Sequence, residues 1–223
     1  MSKNQRYLTI YKFNAKFIAT VLILNLSSKM KRDIILAGVG GQGILSIATV
    51  IGEAALAEGL YLKQAEVHGM SQRGGSVTSQ VRFGDNVASP IIQEGTSDVL
   101  VAFDRLEAVR TAHELAEGGK AVVANVDLVP VTVSSGLQPP VADLAGRLAA
   151  ALPTATVVDA MTIAREQVGN ERTMNMVLAG ALSKVLPLPE ECWLEAMKLM
   201  LTGAKAKLLP ANEKAFALGR AAV

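Results

Sequence analysis

A short apolar run, Asp33-Ile34-Ile35-Leu36-Ala37, breaks into Gly38-Val39-Gly40-Gly41-Gln42-Gly43 and then into a stretch, residues 44–58, that is apolar at ten positions. Few folds accommodate that order. It reads as strand, tight turn, helix, and Gly38, Gly40 and Gly43 satisfy the G-x-G-x-x-G spacing. That spacing lets a backbone turn sharply, approach a phosphate and pack a helix on a sheet. Unpaired N–H groups at the start of such a helix favour an anion. The helix over residues 44–58 is apolar on most sides, so it expects cover from the sheet and from a second helix or partner. Residues 60–64 read as the second strand of a βαβ unit.

A bound dinucleotide would call for a carboxylate about 20 residues past the glycines. Lys63 stands there, and Glu66 reads as part of the following loop, so the glycine turn is expected to serve as a structural turn or to hold some other phosphate. The loop over residues 66–75 is polar, carries Gly69, Gly74 and Gly75, and leaves the carboxyl end of a strand, the edge at which open α/β sheets bind ligands. Arg73 is its one guanidinium, flanked by glycine and free of crowding, suited to a phosphate or a carboxylate. His68 is expected to hydrogen bond or pack at an interface, because no nucleophile accompanies it.

Further strands are expected over residues 76–83, 88–92, 98–104, 120–125, 128–133 and 155–159. Helices are expected over 105–116 and 141–151. Asp104 and Glu107 resemble a capping box for the first of these. Beyond residue 160 the pattern is wholly helical: 161–168, 170–184, 189–201 and 212–220. The small residues of 175–182 suit close helix contact, in the core or at a subunit interface. The expectation is therefore an α/β chain with a Rossmann-like, open, mostly parallel sheet, flanking helices and an all-helical C-terminal region.

Composition excludes several functions. Residues 1–29 hold five cations (Lys3, Arg6, Lys12, Lys16, Lys29) and no carboxylate, so the 22 basic residues fall to 17 against 20 acidic ones in the remainder. A net charge near −3 there, with few aromatics, speaks against nucleic-acid binding. One cysteine, Cys192, cannot ligate an iron-sulfur cluster, and two histidines, His68 and His113, make a poor zinc site. No G-x-x-x-x-G-K-[ST], G-x-S-x-G or H-E-x-x-H occurs. The apolar run at 17–24 is too short to span a bilayer, and although it resembles a signal h-region, no clean cleavage site follows. Met30 is expected to be the functional start, with 1–29 as an extension outside the fold and 30–223 as one domain. An interfacial anchor or secretory signal is the alternative.

The glycine turn, the His68-Gly69-Met70-Ser71-Gln72-Arg73-Gly74-Gly75 loop, the Asp98 to Asp104 run and residues 175–182 together resemble the gamma-type subunits of 2-oxoacid:ferredoxin oxidoreductases. The His-Gly-Met-Ser-Gln-Arg-Gly-Gly form resembles the indolepyruvate (arylpyruvate) branch. The likeness spans about residues 31–185. It implies a reaction in which an aryl 2-oxoacid is decarboxylated on thiamine diphosphate, electrons pass through iron-sulfur (4Fe-4S) clusters to ferredoxin, and coenzyme A takes the acyl group. In that family thiamine and clusters sit on a large alpha subunit, so this chain is expected to be a cytoplasmic, non-catalytic partner that binds none of them alone. Gly38, Gly40, Gly41, Gln42, Gly43, Arg73, Gly74 and Gly75 carry over as contacts to coenzyme A phosphates or to the alpha subunit. Alternatives are a gamma subunit acting on pyruvate or 2-oxoglutarate, and a stand-alone nucleotide-binding module.

A chain begun at Met30 is expected to remain soluble with an unchanged melting temperature. Thermal denaturation of the two lengths side by side tests this, and a lower melting temperature for the shorter chain would refute it.

Overall fold

The computed structural model describes residues 30–69 and 74–223. The expected extension 1–29 and Arg73 lie outside the described residues. Lys31–Val223 clusters as one unit.

Six strands form one sheet in the order β2-β3-β1-β4-β5-β6. They are β1 (Lys31–Val39), β2 (Tyr61–His68), β3 (Ser76–Gly84), β4 (Ser97–Ala102), β5 (Leu115–Ala124) and β6 (Thr156–Val158). β1 runs parallel to β4, β4 to β5 and β5 to β6, whereas β3 is antiparallel to both β1 and β2. The sheet is therefore mixed. The central strands are near-continuous apolar runs because both of their faces are covered. Ile35, Ala37, Leu100, Ala102, Ala121 and Val123 form a core on one face with Ala108, Leu148 and Leu152. Ala108 belongs to α2 (Arg105–Thr111) and Leu148 to α3 (Leu144–Ala151), whose C-cap is Leu152. Ile34, Leu36, Val101 and Val122, of opposite parity, are equally buried. Their side carries α1 (Ile44–Ala57) and α4 (Met174–Leu182), which contact β1 and β5 respectively.

The second strand departs from the expected βαβ unit. β2 has the expected direction relative to β1, but β3 lies between them. β2 also runs on to His68, so Glu66, Val67 and His68 are strand and the loop begins only at Gly69. Its cause is the long alternating partner: every β2 residue pairs with β3, from Tyr61 opposite Gly84 to His68 opposite Val77. β2 forms one edge and is mostly exposed.

Two expected strands are absent. Residues 88–92 are irregular because Pro90 lacks a donor and side chains of β3 take their backbone groups. Arg82 Nη1 donates to Ser89 O (3.1 Å) and Ile91 O (2.5 Å), and Gln80 Oε1 accepts from Ile92 N (2.7 Å). The same Arg82 grips buried Asp33 through Nε and Nη2 at 2.9 and 3.0 Å, while Lys31 Nζ reaches that carboxylate at 2.8 Å. Residues 128–133 are broken by Pro130, whose carbonyl accepts from Val133 N and Ser134 N, making Val131–Ser134 a single helical turn. The helix expected over 105–116 stops at Thr111, since β5 already begins at Leu115. Asp104 caps it, accepting from Glu107 N at 2.9 Å, but Glu107 turns its carboxylate to Ser76 and Arg110 instead of closing the box.

The C-terminal region is helical as expected: a π-type helix (Ile163–Val168) and a 3-10 turn (Glu171–Thr173) lead into α4, and α5 (Glu190–Met200) is followed by a 3-10 helix (Gly203–Leu208) and α6 (Leu209–Ala221). The small-residue helix α4 belongs to the core. A Cβ on Gly180 would stand 2.0 Å from Phe216 O, and one on Gly219 would stand 1.9 Å from Val177 O. α4 and α6 thus touch backbone to backbone through a glycine on each. Gly219→Ala is expected to force the helices apart at roughly 1–3 kcal/mol, the usual cost of overpacking. That corresponds to a fall of roughly 2–12 °C in melting temperature for a chain of this size. An unchanged melting temperature would contradict the crossing.

Candidate functional site

The site is built where β1 ends. Gly41 (φ 106°) and Gly43 (φ 87°) occupy the left-handed region, which a side chain would strain. Gly38 is closed in from within: a Cβ there would meet Gln42 Oε1 at 2.6 Å and Phe103 Cβ at 2.9 Å. Gln42 points inward. Its Oε1 accepts from Val39 N at 2.6 Å and its Nε2 donates to Phe103 O at 3.3 Å, so this side chain closes the turn onto β1 and the end of β4. Gly40 N donates to Gly75 O (2.9 Å) and Gly74 N to Gly40 O (3.3 Å), which ties the second loop to the first.

The N–H groups of Gly41, Gly43, Ile44 and Leu45 have no hydrogen-bond partner among the described residues. The first turn of α1 carries no acidic side chain to compete for them. These four residues help line a cavity of about 390 Å³, together with Gly40, Glu66, His68 and Val77. A fan of unpaired N–H groups at the positive end of a fourteen-residue helix suits an anion such as phosphate. Glu66 offers an acceptor for a hydroxyl or amine on the same ligand. His68 Nδ1 lies 3.0 Å from Gly69 O, so the ring can be held in one orientation at the cavity rim.

Of the residues singled out in the sequence, the structure brings Gly40, Gly41 and Gly43 to the cavity and holds Gly74 and Gly75 against it. Gly38 and Gln42 stand behind the turn as support. Glu66, expected in a loop, faces the cavity from β2. That places it one strand further from β1 than the ribose-binding acid of a dinucleotide unit, because β3 intervenes at about 4.8 Å per strand. Asn175 was not singled out individually. Its Nδ2 lies 2.8 Å from where a Cβ of Gly43 would be, so the start of α4 presses on the turn. The packing that delivers it depends on a helix 130 residues away, beyond any local spacing.

Beside the turn lie two buried carboxylates. Glu107 receives Ser76 Oγ–H at 2.5 Å and Arg110 Nη1 at 2.6 Å. Asp104 keeps one oxygen, Oδ2, without a partner. Burial pushes its carboxyl up from 3.8 to about 6, with the Glu107 charge adding to the rise and the Glu107 N–H bond opposing it. Among the described residues no group of three or more His, Cys, Asp or Glu could hold a metal ion. Nor is any described helix long and apolar enough to cross a membrane.

The sequence model of the pyruvate ferredoxin/flavodoxin oxidoreductase family matches residues 33–222. Indolepyruvate oxidoreductase subunit IorB of Thermococcus kodakarensis is 39% identical over 199 residues, covering 84% of this chain and 93% of that protein. Ketoisovalerate oxidoreductase subunit VorA of Methanothermobacter thermautotrophicus is 31% identical over 166 residues. That match takes in 73% of this chain but only 30% of the longer relative. In structure, the gamma subunit of a keto/oxoacid ferredoxin oxidoreductase from Geobacter sulfurreducens superposes with a TM-score of 0.63. It covers 86% of this chain and 97% of its own, at 23% identity, a likeness of fold.

Because folded Asp104 titrates near 6 and unfolded Asp near 3.8, the stability it lends is full below pH 3.8 and is lost as pH rises through 6. Asp104→Asn keeps the cap oxygen and removes the titration. The stability of the variant relative to the unaltered chain is expected to rise by about 3 kcal/mol between pH 3.5 and pH 7.5. Urea denaturation at the two pH values checks this. A pH-independent difference would count against a buried, unpaired carboxyl.

Proposed function

Since the chain belongs to the pyruvate ferredoxin/flavodoxin oxidoreductase family, we propose that it is the small, non-catalytic subunit of an indolepyruvate:ferredoxin oxidoreductase. The observation that carries this reading is 39% identity with an indolepyruvate oxidoreductase subunit over nearly the whole of both chains. The large alpha partner supplies thiamine diphosphate and the iron-sulfur clusters, and the complex passes electrons to ferredoxin in the cytoplasm. A single thiol cannot ligate an iron-sulfur cluster. The one in this chain, Cys192, is bonded to Glu58 Oε1 at 3.0 Å, and that bond pushes it up to about 11, away from the thiolate a metal requires.

Coenzyme A suits the cavity at the glycine turn better than a nicotinamide dinucleotide does. Its phosphates match the N–H groups of Gly41, Gly43, Ile44 and Leu45, and Glu66 is placed for a hydroxyl or amino group. Gly74 and Gly75 lie against the turn, and Arg73, which precedes them in the sequence, would supply a fork for a phosphate or for a carboxylate on the alpha subunit. Gly38 and Gln42 contribute by fixing the turn.

Co-expression of this chain, tagged, with the large subunit is expected to yield a brown complex that contains thiamine diphosphate and reduces a viologen dye with indolepyruvate and coenzyme A. The tagged chain alone is expected to be colourless and inert. Recovery of the chain alone from the co-expression, or dye reduction by it unaided, would overturn the reading. In the complex, Gly41→Ala places a methyl in the cavity mouth, and the Michaelis constant for coenzyme A is expected to rise roughly tenfold, an effect of about 1.4 kcal/mol. An unchanged constant would remove coenzyme A from this cavity while leaving the subunit assignment standing.

A further inference from the structure

A second cavity, of about 300 Å³, shares the first turn of α1 with the cavity at the glycine turn. Ser46 lines it, next to Leu45 of the larger cavity, and so does Asn175, which presses on Gly43. Its other polar walls come from distant parts of the chain: Asn170 and Arg172 from the 3-10 turn before α4, and Asn212 from α6. Met200, Leu201 and Leu208 make an apolar side. No carboxylate is among the described residues that line it.

The polar side chains hold a surplus of donors. The guanidinium of Arg172 has no hydrogen bond or ion pair among the described residues, and the adjacent carboxylate, Glu171, is taken by Arg165 Nε at 2.7 Å. Asn170 Oδ1 accepts from Arg172 N at 3.1 Å and Asn175 Oδ1 from Met176 N at 2.9 Å, which leaves each amide nitrogen as an unused donor. The hydroxyl of Ser46 is also without a partner among the described residues. Asn212 is the reverse. Its Nδ2 donates to Leu208 O at 2.7 Å, so its oxygen stays available as an acceptor.

A guanidinium fork, two amides and a hydroxyl, with no carboxylate to neutralise them, suit an anion. A carboxylate has about four lone-pair sites, fewer than the roughly seven N–H and O–H bonds that these groups can offer. A phosphate monoester, with three strongly accepting oxygens and a higher charge, can use them. The apolar side and the Asn212 oxygen then face the organic part of the same ligand. Asn175 touches Gly43, so an occupant here bears directly on the glycine turn.

We propose that this cavity is a second anion site, which takes the phosphate monoester of a small organic ligand through Arg172, Asn170, Asn175 and Ser46. Two sources share that chemistry: the 3′-phosphate of a coenzyme A seated in the neighbouring cavity, and a separate phosphorylated small molecule. The site itself does not depend on the subunit reading above.

Inorganic phosphate is the first probe, titrated calorimetrically into the full chain, unaltered and as Arg172→Gln and Ser46→Ala. The difference between the chains isolates this cavity, because Arg172 and Ser46 line it and not the one at the glycine turn. The unaltered chain is expected to bind phosphate, Arg172→Gln to lose at least about tenfold in that affinity, or about 1.4 kcal/mol, and Ser46→Ala to weaken it in the same direction. Arg172 is exposed, so melting temperatures in phosphate-free buffer should be equal. Coenzyme A and dephospho-coenzyme A then separate the sources. A preference for coenzyme A that Arg172→Gln abolishes assigns the phosphate to coenzyme A, whereas no preference, or one that survives the change, assigns it to a separate ligand. Phosphate binding that is equal in the unaltered chain and Arg172→Gln, or absent from both, overturns the proposal and leaves the subunit reading intact.

Discussion

The side chain of Gln42 makes the site possible by doing the work of a peptide group. Its Oε1 takes Val39 N and its Nε2 gives to Phe103 O, so the sharp turn off β1 is closed without using the amides of the glycines. The backbone closes the same turn through Gln42 N, which donates to Val39 O at 3.1 Å, so neither closure draws on the amides of Gly41 and Gly43. The N–H groups of Gly41, Gly43, Ile44 and Leu45 are left without a partner among the described residues, at the positive end of α1 beside the cavity. The positive φ of Gly41 and Gly43 is the backbone side of the same arrangement.

The other half of the site is held by equally indirect means. Gly40 bonds in both directions to Gly74 and Gly75, and Ser76, next in line, hands its hydroxyl proton to Glu107 on α2. From behind, Asn175 leans on Gly43, and the helix that carries it is fixed by the glycine crossing with α6. The all-helical C-terminal region is thus the buttress of the turn. Its last helix bears on the cavity through two contacts, Gly219 on Val177 and Asn175 on Gly43.

What could be read in the sequence was whatever depends on neighbours in the chain. The buried strands at β1 and β4, the helix after the glycines and the helical tail follow from runs of apolar residues with clear ends. The insertion of β3 between β1 and β2 could not be read this way, since direction and length of β2 are the same whether its partner is β1 or β3. Nor could the loss of strand at 88–92, where Arg82 and Gln80 from another strand intercept the backbone groups. In the site, the glycine spacing located the cavity wall. It placed Gln42 and Gly38 among the ligand-facing residues, although both face inward. Asn175, supplied by α4, carries no spacing signal, and Glu66, near the spacing of a ribose acid, reads as loop because its pairing with β3 leaves no local mark.

The electrostatics separate recognition from titration. The described wall of the cavity presents amide dipoles, whose strength does not change with pH, while Asp104 is buried behind the turn with its carboxyl pushed up to about 6. Because its unpartnered oxygen is closed off from solvent, ionising it costs the fold without adding a charge at the cavity surface. A change of protonation there acts first on the cap of α2. It then reaches Glu107 and Ser76, and so the loop that Gly40 anchors. The amides of Gly41, Gly43, Ile44 and Leu45 lie at and just before the start of α1, outside that chain of bonds. The turn is tied to this region at two places, Gly40 to Gly74 and Gly75, and Gln42 Nε2 to Phe103 O beside Asp104.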